Sequence, residues 1–225
     1  MRSRPSGTIL FVLAVLTASG CSQTRYVEMP PDQPAAESAS SISRTVEFRL
    51  DDLLLTQPPR CLLIVGRDRE RVAPELAGLI EQSLTRHLLQ RMPRVISGAQ
   101  REQQARYHGF PVADGANARR LAGKLGCDGL LEYEVVDAEA HYLLFYTRLS
   151  MKLDVRAIRL SDGAELWRAR HATTKSSGGP PTSLASVVSI WSATELAGDD
   201  EAAAGLVEEI VRRIMATWPI VKRPA

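Results

Sequence analysis

Three cysteines, at positions 21, 61 and 127, are the side chains whose chemistry depends most on where this chain resides. None lies in the C-x-x-C spacing of a redox or zinc motif. Cys61 opens the apolar run CLLIVG, and Cys127 opens CDGLLEYEV. If those runs are neighbouring parallel strands, their starts come close enough to bridge; otherwise both are buried thiols that pack as small hydrophobes. Cys61 and Cys127 are thus a candidate disulfide, provided the compartment is oxidising. The four histidines, His87, His108, His141 and His171, form neither H-x-x-x-H nor H-E-x-x-H. No G-x-S-x-G elbow occurs and no Lys follows a Ser by three residues, so two hydrolase patterns are missing. Ser177-Gly178-Gly179-Pro180 lacks the Lys of a phosphate loop. Asp199, Asp200 and Glu201 suit a helix start, where carboxylates meet the positive end of the dipole, better than a calcium loop. No catalytic residue, cofactor or metal site is expected.

Cys21 ends the stretch ILFVLAVLTASGC, residues 9–21. Arg2 and Arg4 precede it, and no acidic residue appears before Glu28. Its apolar centre holds about eleven residues, against the roughly 20 that a membrane-spanning helix needs. A positive flank, a short apolar segment and small residues describe a secretory signal peptide over 1–20. The ending Ala18-Ser19-Gly20-Cys21 resembles the lipobox of bacterial lipoproteins, where a small residue precedes a cysteine that becomes the acylated N-terminus; at Ala18 that family usually carries leucine. The resemblance implies lipidation at Cys21. With Ser22 next, it also implies an outer-membrane address facing the periplasm. Ala18 and Gly20 equally suit ordinary signal peptidase, which would leave a soluble secreted protein. The match at Ser19, Gly20 and Cys21 favours lipidation, and the three acyl chains the resemblance implies would anchor firmly where a single chain is marginal.

Loss of the first 20 residues removes Arg2 and Arg4 from the 28 basic residues, leaving as many as the 26 acidic ones. A neutral chain lacks the basic excess of a nucleic-acid binder, so no nucleic-acid partner is expected. The 44% hydrophobic content suits a globular core. Residues 21–45, rich in Pro, Ser and Ala, suggest a flexible tether of on the order of 80 Å when extended. A single globular domain is expected over 46–225.

Within that domain FRLDDLLLT (48–56) is a short amphipathic or extended segment. CLLIVG (61–66) is continuous enough for a strand buried on both faces. A helix is predicted from Pro74, its stripe made by Leu76, Leu79, Ile80, Leu84, His87 and Leu88, with Pro93 beyond its end. RVIS (94–97) is a short strand, and 99–114 is polar without a clear period. Asn117 to Leu125 is expected to be helical with Gly126 as its cap, followed by a strand through Gly129, Leu131, Tyr133 and Val135.

In 148–171, Leu149, Met151, Leu153, Val155 and Ala157 share one face of a strand, and a turn at Ser161-Asp162-Gly163 leads into Leu166-Trp167. The phase slips at Ile158 and Leu160, which suggests a bulge or a covered outer face. TTKSSGGPPTS is expected as a loop, and 201–217 as a closing helix with Leu206, Ile210, Val211 and Ile214 inward. The order predicts an α/β (α+β) fold: one mixed sheet of about five strands with a C-terminal antiparallel meander, flanked by three to four helices.

Two surfaces are candidates for binding. Arg148, Lys152 and Arg156, with Arg159, Arg168 and Arg170 nearby, form either a solvated face partly paired with Asp154 and Glu165 or a docking face for an acidic partner or envelope polymer. Leu184, Val187, Val188, Ile190, Trp191 and Leu196 line a helix that either packs on the sheet or serves self-association or membrane contact.

CLLIV after a proline pair, LGCDGLLEYEV and the hairpin LDVRAIRLSDGAELWRA, together with the lipobox, resemble a group of Gram-negative periplasmic lipoproteins. The group includes the curli-secretion lipoprotein CsgG and the penicillin-binding-protein activator LpoB, with a domain like the TolB N-terminal fold. The likeness spans about residues 58–218. It implies a lipid-anchored scaffold or accessory protein that binds an envelope protein without catalysis; a subunit of an oligomeric secretion channel is the alternative. The expected partners are the membrane, through the acyl chains, and an envelope protein, self-association included.

Overall fold

The computed structural model describes residues 23–30, 44–67, 71–109, 115–143, 146–178 and 200–220. In chain order they form β1 (Arg25–Glu28), β2 (Thr45–Leu50), α1 (Asp52–Thr56), β3 (Cys61–Gly66), α2 (Pro74–Leu89), β4 (Arg94–Ile96), α3 (Gly98–His108), α4 (Gly115–Lys124), β5 (Gly129–Leu143), β6 (Tyr146–Arg159), β7 (Glu165–Gly178) and α5 (Asp200–Met215). All seven strands belong to one mixed sheet in the order β1-β2-β7-β6-β5-β3-β4. This is the expected α+β architecture, with β1 and β2 added to the strands read from the sequence.

The two faces of the sheet carry separate apolar clusters. On one, Leu76, Ile80, Leu84 and Leu88 of α2 and Leu206, Ile210, Val211 and Ile214 of α5 cover the inward residues of the meander. Trp167 anchors this main core, edge-on to Trp218 with ring centroids 5.1 Å apart, and its indole N–H donates to Thr217 Oγ1 at 3.1 Å. On the other face Ala118 and Ala122 of α4 meet Leu63, Val65 and Leu130. That second layer is why CLLIVG needs no polar alternation: β3 is buried from both sides and pairs in parallel with β4 and β5.

The long strands follow the sequence closely. Leu149, Met151, Leu153, Val155 and Ala157 are all buried on the main core side. The ladder between β6 and β7 shifts register between Ala157 and Ile158, where the apolar phase slips. Beyond the slip Ile158 is buried and Leu160 packs against the second cluster, so the outer face is covered there. Gly126 takes a left-handed φ of 67° at the expected cap position.

Two expectations are corrected, and one unassigned stretch gains a helix. The tether over 21–45 is interrupted, because Arg25–Glu28 forms β1, parallel to β2 at the edge of the sheet. The region 99–114 begins as α3, whose Ser97 and Gln100 form a reciprocal capping box. The first half of TTKSSGGPPTS continues β7, with Thr173–Gly178 opposite Tyr146–Met151, where the two adjacent β-branched residues Thr173 and Thr174 favour a strand. The helix expected over 184–198 lies outside the described residues.

Candidate functional site

Cys21 also lies outside the described residues. Cys61 and Cys127 are brought together: β3 and β5 are parallel neighbours, the two Cα atoms stand 4.5 Å apart and the sulfurs are bonded. Asp128 reinforces the junction, its carboxylate accepting from the backbone N–H groups of Arg60 at 3.0 Å and Cys61 at 2.9 Å. Both cysteines belong to the smaller cluster beneath α4, so this corner ties that layer to the sheet.

The basic face is divided. Arg156 is engaged by Glu132, its Nε and a terminal nitrogen donating at 2.8 and 2.6 Å. Arg168 grips Asp154 at 3.0 and 2.6 Å. Arg170 pairs with Glu47, Arg49 with Glu165, and Arg159 with Asp162. The Arg159 hydrogen bond, together with the Ala164 N–H, holds the Asp162 carboxyl at about 2. Cross-strand pairing of this kind stabilises a sheet face and neutralises it. Of the three cations of the expected docking face, Arg156 is thus ion-paired, while Arg148 and Lys152 make no ion pair among the described residues.

Two polar clusters escaped the sequence reading. Between α2, α3 and β5, Glu81 Oε1 accepts from both terminal nitrogens of Arg101 at 3.1 Å and from the Tyr133 hydroxyl at 3.0 Å. Arg101 also donates to the Ile64 carbonyl at 2.6 Å. Arg101 is 2% exposed and Glu81 5%, so this is a desolvated charge pair. A Cβ at Gly98, the first residue of α3, would stand 1.4 Å from Glu81 Oε2, which explains the glycine there.

The second cluster joins α2 to α5. Glu208 accepts from Ser83 Oγ at 2.7 Å and Arg86 at 3.2 Å, and shares a 2.9 Å hydrogen bond with His87 Nε2. Burial pushes the Glu208 carboxyl up, but those donors outweigh it and hold it below the ordinary range. The carboxylate stands between serine and imidazole and bonds each, which is an interhelical clamp and not the nucleophile–base order of an acyl-transfer site. A cavity of about 410 Å³ adjoins it, lined by Leu79, Arg86, Lys175, Gly205 and others. Among the described residues no group of three or more His, Cys, Asp or Glu is placed to hold a metal ion, and no helix is long and apolar enough to cross a membrane.

His171 sits in the core between β2 and α5. Its Nδ1–H donates to the Thr45 carbonyl at 2.9 Å, which leaves Nε2 to accept from Arg213 at 3.2 Å. Burial lowers its pKa below the ordinary histidine value. Unfolded imidazole takes its proton near pH 6.5, and the native ring does so only at lower pH. The unfolded state therefore binds more protons as pH falls through 6.5, and stability falls with it. Urea midpoints should show this: the stability difference between wild type and His171→Gln shrinks from pH 7 to pH 5.

No protein-family model matches the chain, and no curated protein sequence does. Among solved structures it is similar to the PelC dodecamer protein of Paraburkholderia phytofirmans, at 12% identity and a TM-score of 0.40, over 80% of this chain and 99% of that one. It is similar to lipoprotein GNA1162 of Neisseria meningitidis, at 17% and 0.44, over 71% of this chain and all of that one. It is also similar to the C-terminal domain of LpoB from Salmonella enterica, at 16% and 0.35, over 51% and 82%. At these scores the likeness does not extend to function.

Proposed function

We propose that this chain is a lipid-anchored periplasmic domain of the outer membrane that binds a second envelope protein and performs no catalysis. The observation that carries the reading is Ala18-Ser19-Gly20-Cys21 at the end of a positively flanked, short apolar stretch. The Cys61–Cys127 junction supports it, because such a bond persists in an oxidising compartment. An anchor contributes by confinement: a partner held in the same membrane meets the domain at an effective concentration far above its bulk value.

A channel subunit is the competing reading. A membrane hairpin turns its apolar face to lipid, whereas the apolar face of β6 from Leu149 to Ala157 lies in the main core. Size measurement in detergent separates the two. The scaffold reading predicts a monomer or small assembly; a closed ring of many subunits would contradict it.

A further inference from the structure

The helix-facing row of β7 runs Trp167, Ala169, His171 and Thr173, all buried, and the next residue on that row is Lys175. Lys175 keeps its place in the ladder, opposite Leu149 of β6, whose side chain lies in the main core. It is therefore directed toward the helix layer and away from the paired arginines of the outer face. Its ammonium reaches α5: a Cβ at Gly205 would stand 2.7 Å from Lys175 Nζ. Gly205 lies inside that helix, where glycine is less favourable than alanine; here the missing side chain leaves a seat for the ammonium. Lys175 is exposed and makes no ion pair among the described residues.

Lys175 borders the cavity of about 410 Å³ between α2 and α5, a volume in the range of small-ligand sites. Leu79 and Val207, at the edge of the main core, give the cavity an apolar wall, and Gln82 adds an amide on the α2 side. Among the described residues Glu208 is the only carboxylate lining it. That carboxylate is already held by Ser83, Arg86 and His87, and the Arg86 charge balances it. Lys175 thus leaves one positive charge without a counter-charge among the described residues, beside apolar surface. The complement to such a cavity is an anion with a short hydrocarbon part: the charge meets the ammonium and the hydrocarbon covers the wall.

We infer that this cavity binds a carboxylate carried on a short apolar chain, with Lys175 as the residue that takes the charge. The inference stands apart from the anchor reading, since no residue of the site depends on Cys21. The test titrates the 15N-labelled full chain carrying Cys21→Ala, which needs no detergent, with hexanoate and with the uncharged hexanamide. The expected result is saturable shifts of the Leu79, Ala204, Gly205 and Val207 amides with hexanoate and much weaker ones with hexanamide. Lys175→Met should weaken hexanoate binding about tenfold, the loss of one charge-assisted contact. Gly205→Ala, whose methyl takes the ammonium's seat, should weaken it as well while the thermal midpoint holds or rises, because alanine favours the helix. Two further probes, N-acetyl-Ala-Ala-Leu as the free acid and as the amide, separate the sources of the carboxylate. Binding of the free-acid peptide at least as tight as that of hexanoate assigns the site to the end of a protein chain; binding of hexanoate alone assigns it to a free acid. Equal response to hexanoate and hexanamide, no saturable shift at those amides, or unchanged hexanoate affinity in Lys175→Met overturns the inference and leaves Lys175 as a side chain that only covers apolar surface on its way to water.

Discussion

Reduction of the purified chain should lower its unfolding free energy by about 4 kcal/mol, the chain-entropy value for a loop of this size. The loop spans 66 residues, from Cys61 at the start of β3 to Cys127 before β5. Without the bond, the unfolded chain regains the freedom to separate those positions. The native corner keeps only the Asp128 hydrogen bonds and the small cluster under α4. Cys61→Ala/Cys127→Ala should match the reduced wild type in its urea midpoint and show no response to reductant. A wild type whose midpoint is the same with and without reductant would contradict the bridge. The same comparison reports on compartment, since a cytosolic chain would be reduced from the outset.

Arg101→Met should destabilise the fold by about 3–5 kcal/mol, because it removes the guanidinium that faces the buried Glu81 carboxylate. The Tyr133 hydroxyl would remain as a donor to it, but a neutral hydrogen bond does not replace the lost guanidinium at a desolvated charge. Glu81→Leu/Arg101→Met removes both charges and should recover most of the loss, since apolar replacement of a buried pair is often neutral. Equilibrium unfolding of the wild type and both variants checks this. A single variant as stable as wild type would show that the pair is open to water. A double variant as unstable as the single one would show that its hydrogen bonds to Ile64 and Tyr133, and not its charge, hold α3 in place.

What the sequence revealed follows from how local each signal was. The apolar run of β3, the stripe of α2 from Leu76 to Leu88 and the alternation of β6 each repeat over a full element, and each was legible. Even the slip at Ile158 was visible, because a bulge moves side chains to the other face and changes the pattern. β1 was not legible: RYVE is four exposed residues whose pairing depends on β2, a distant partner with no local trace. α3 has one local signal, Ser97 with Gln100 three residues on, which is a capping box before a helix whose apolar stripe is too weak to show. Charge was the least legible property. Arg148, Lys152 and Arg156 look alike in an alternating strand, and both Lys152 and Arg156 face a carboxylate across the ladder, Asp137 and Glu132, yet among the described residues only Arg156 is ion-paired with the one it faces. The contacts of Glu81 with Arg101, 20 residues on, and of Ser83 with Glu208, 125 residues on, are tertiary and leave no spacing to recognise.

The proposed function depends on Cys21 as the point of attachment, and fractionation of the Cys21→Ala chain tests that most directly. The expected result is wild type in carbonate-washed membranes and Cys21→Ala in the soluble periplasmic fraction; a Cys21→Ala chain that stays with the washed membranes as the wild type does would contradict it.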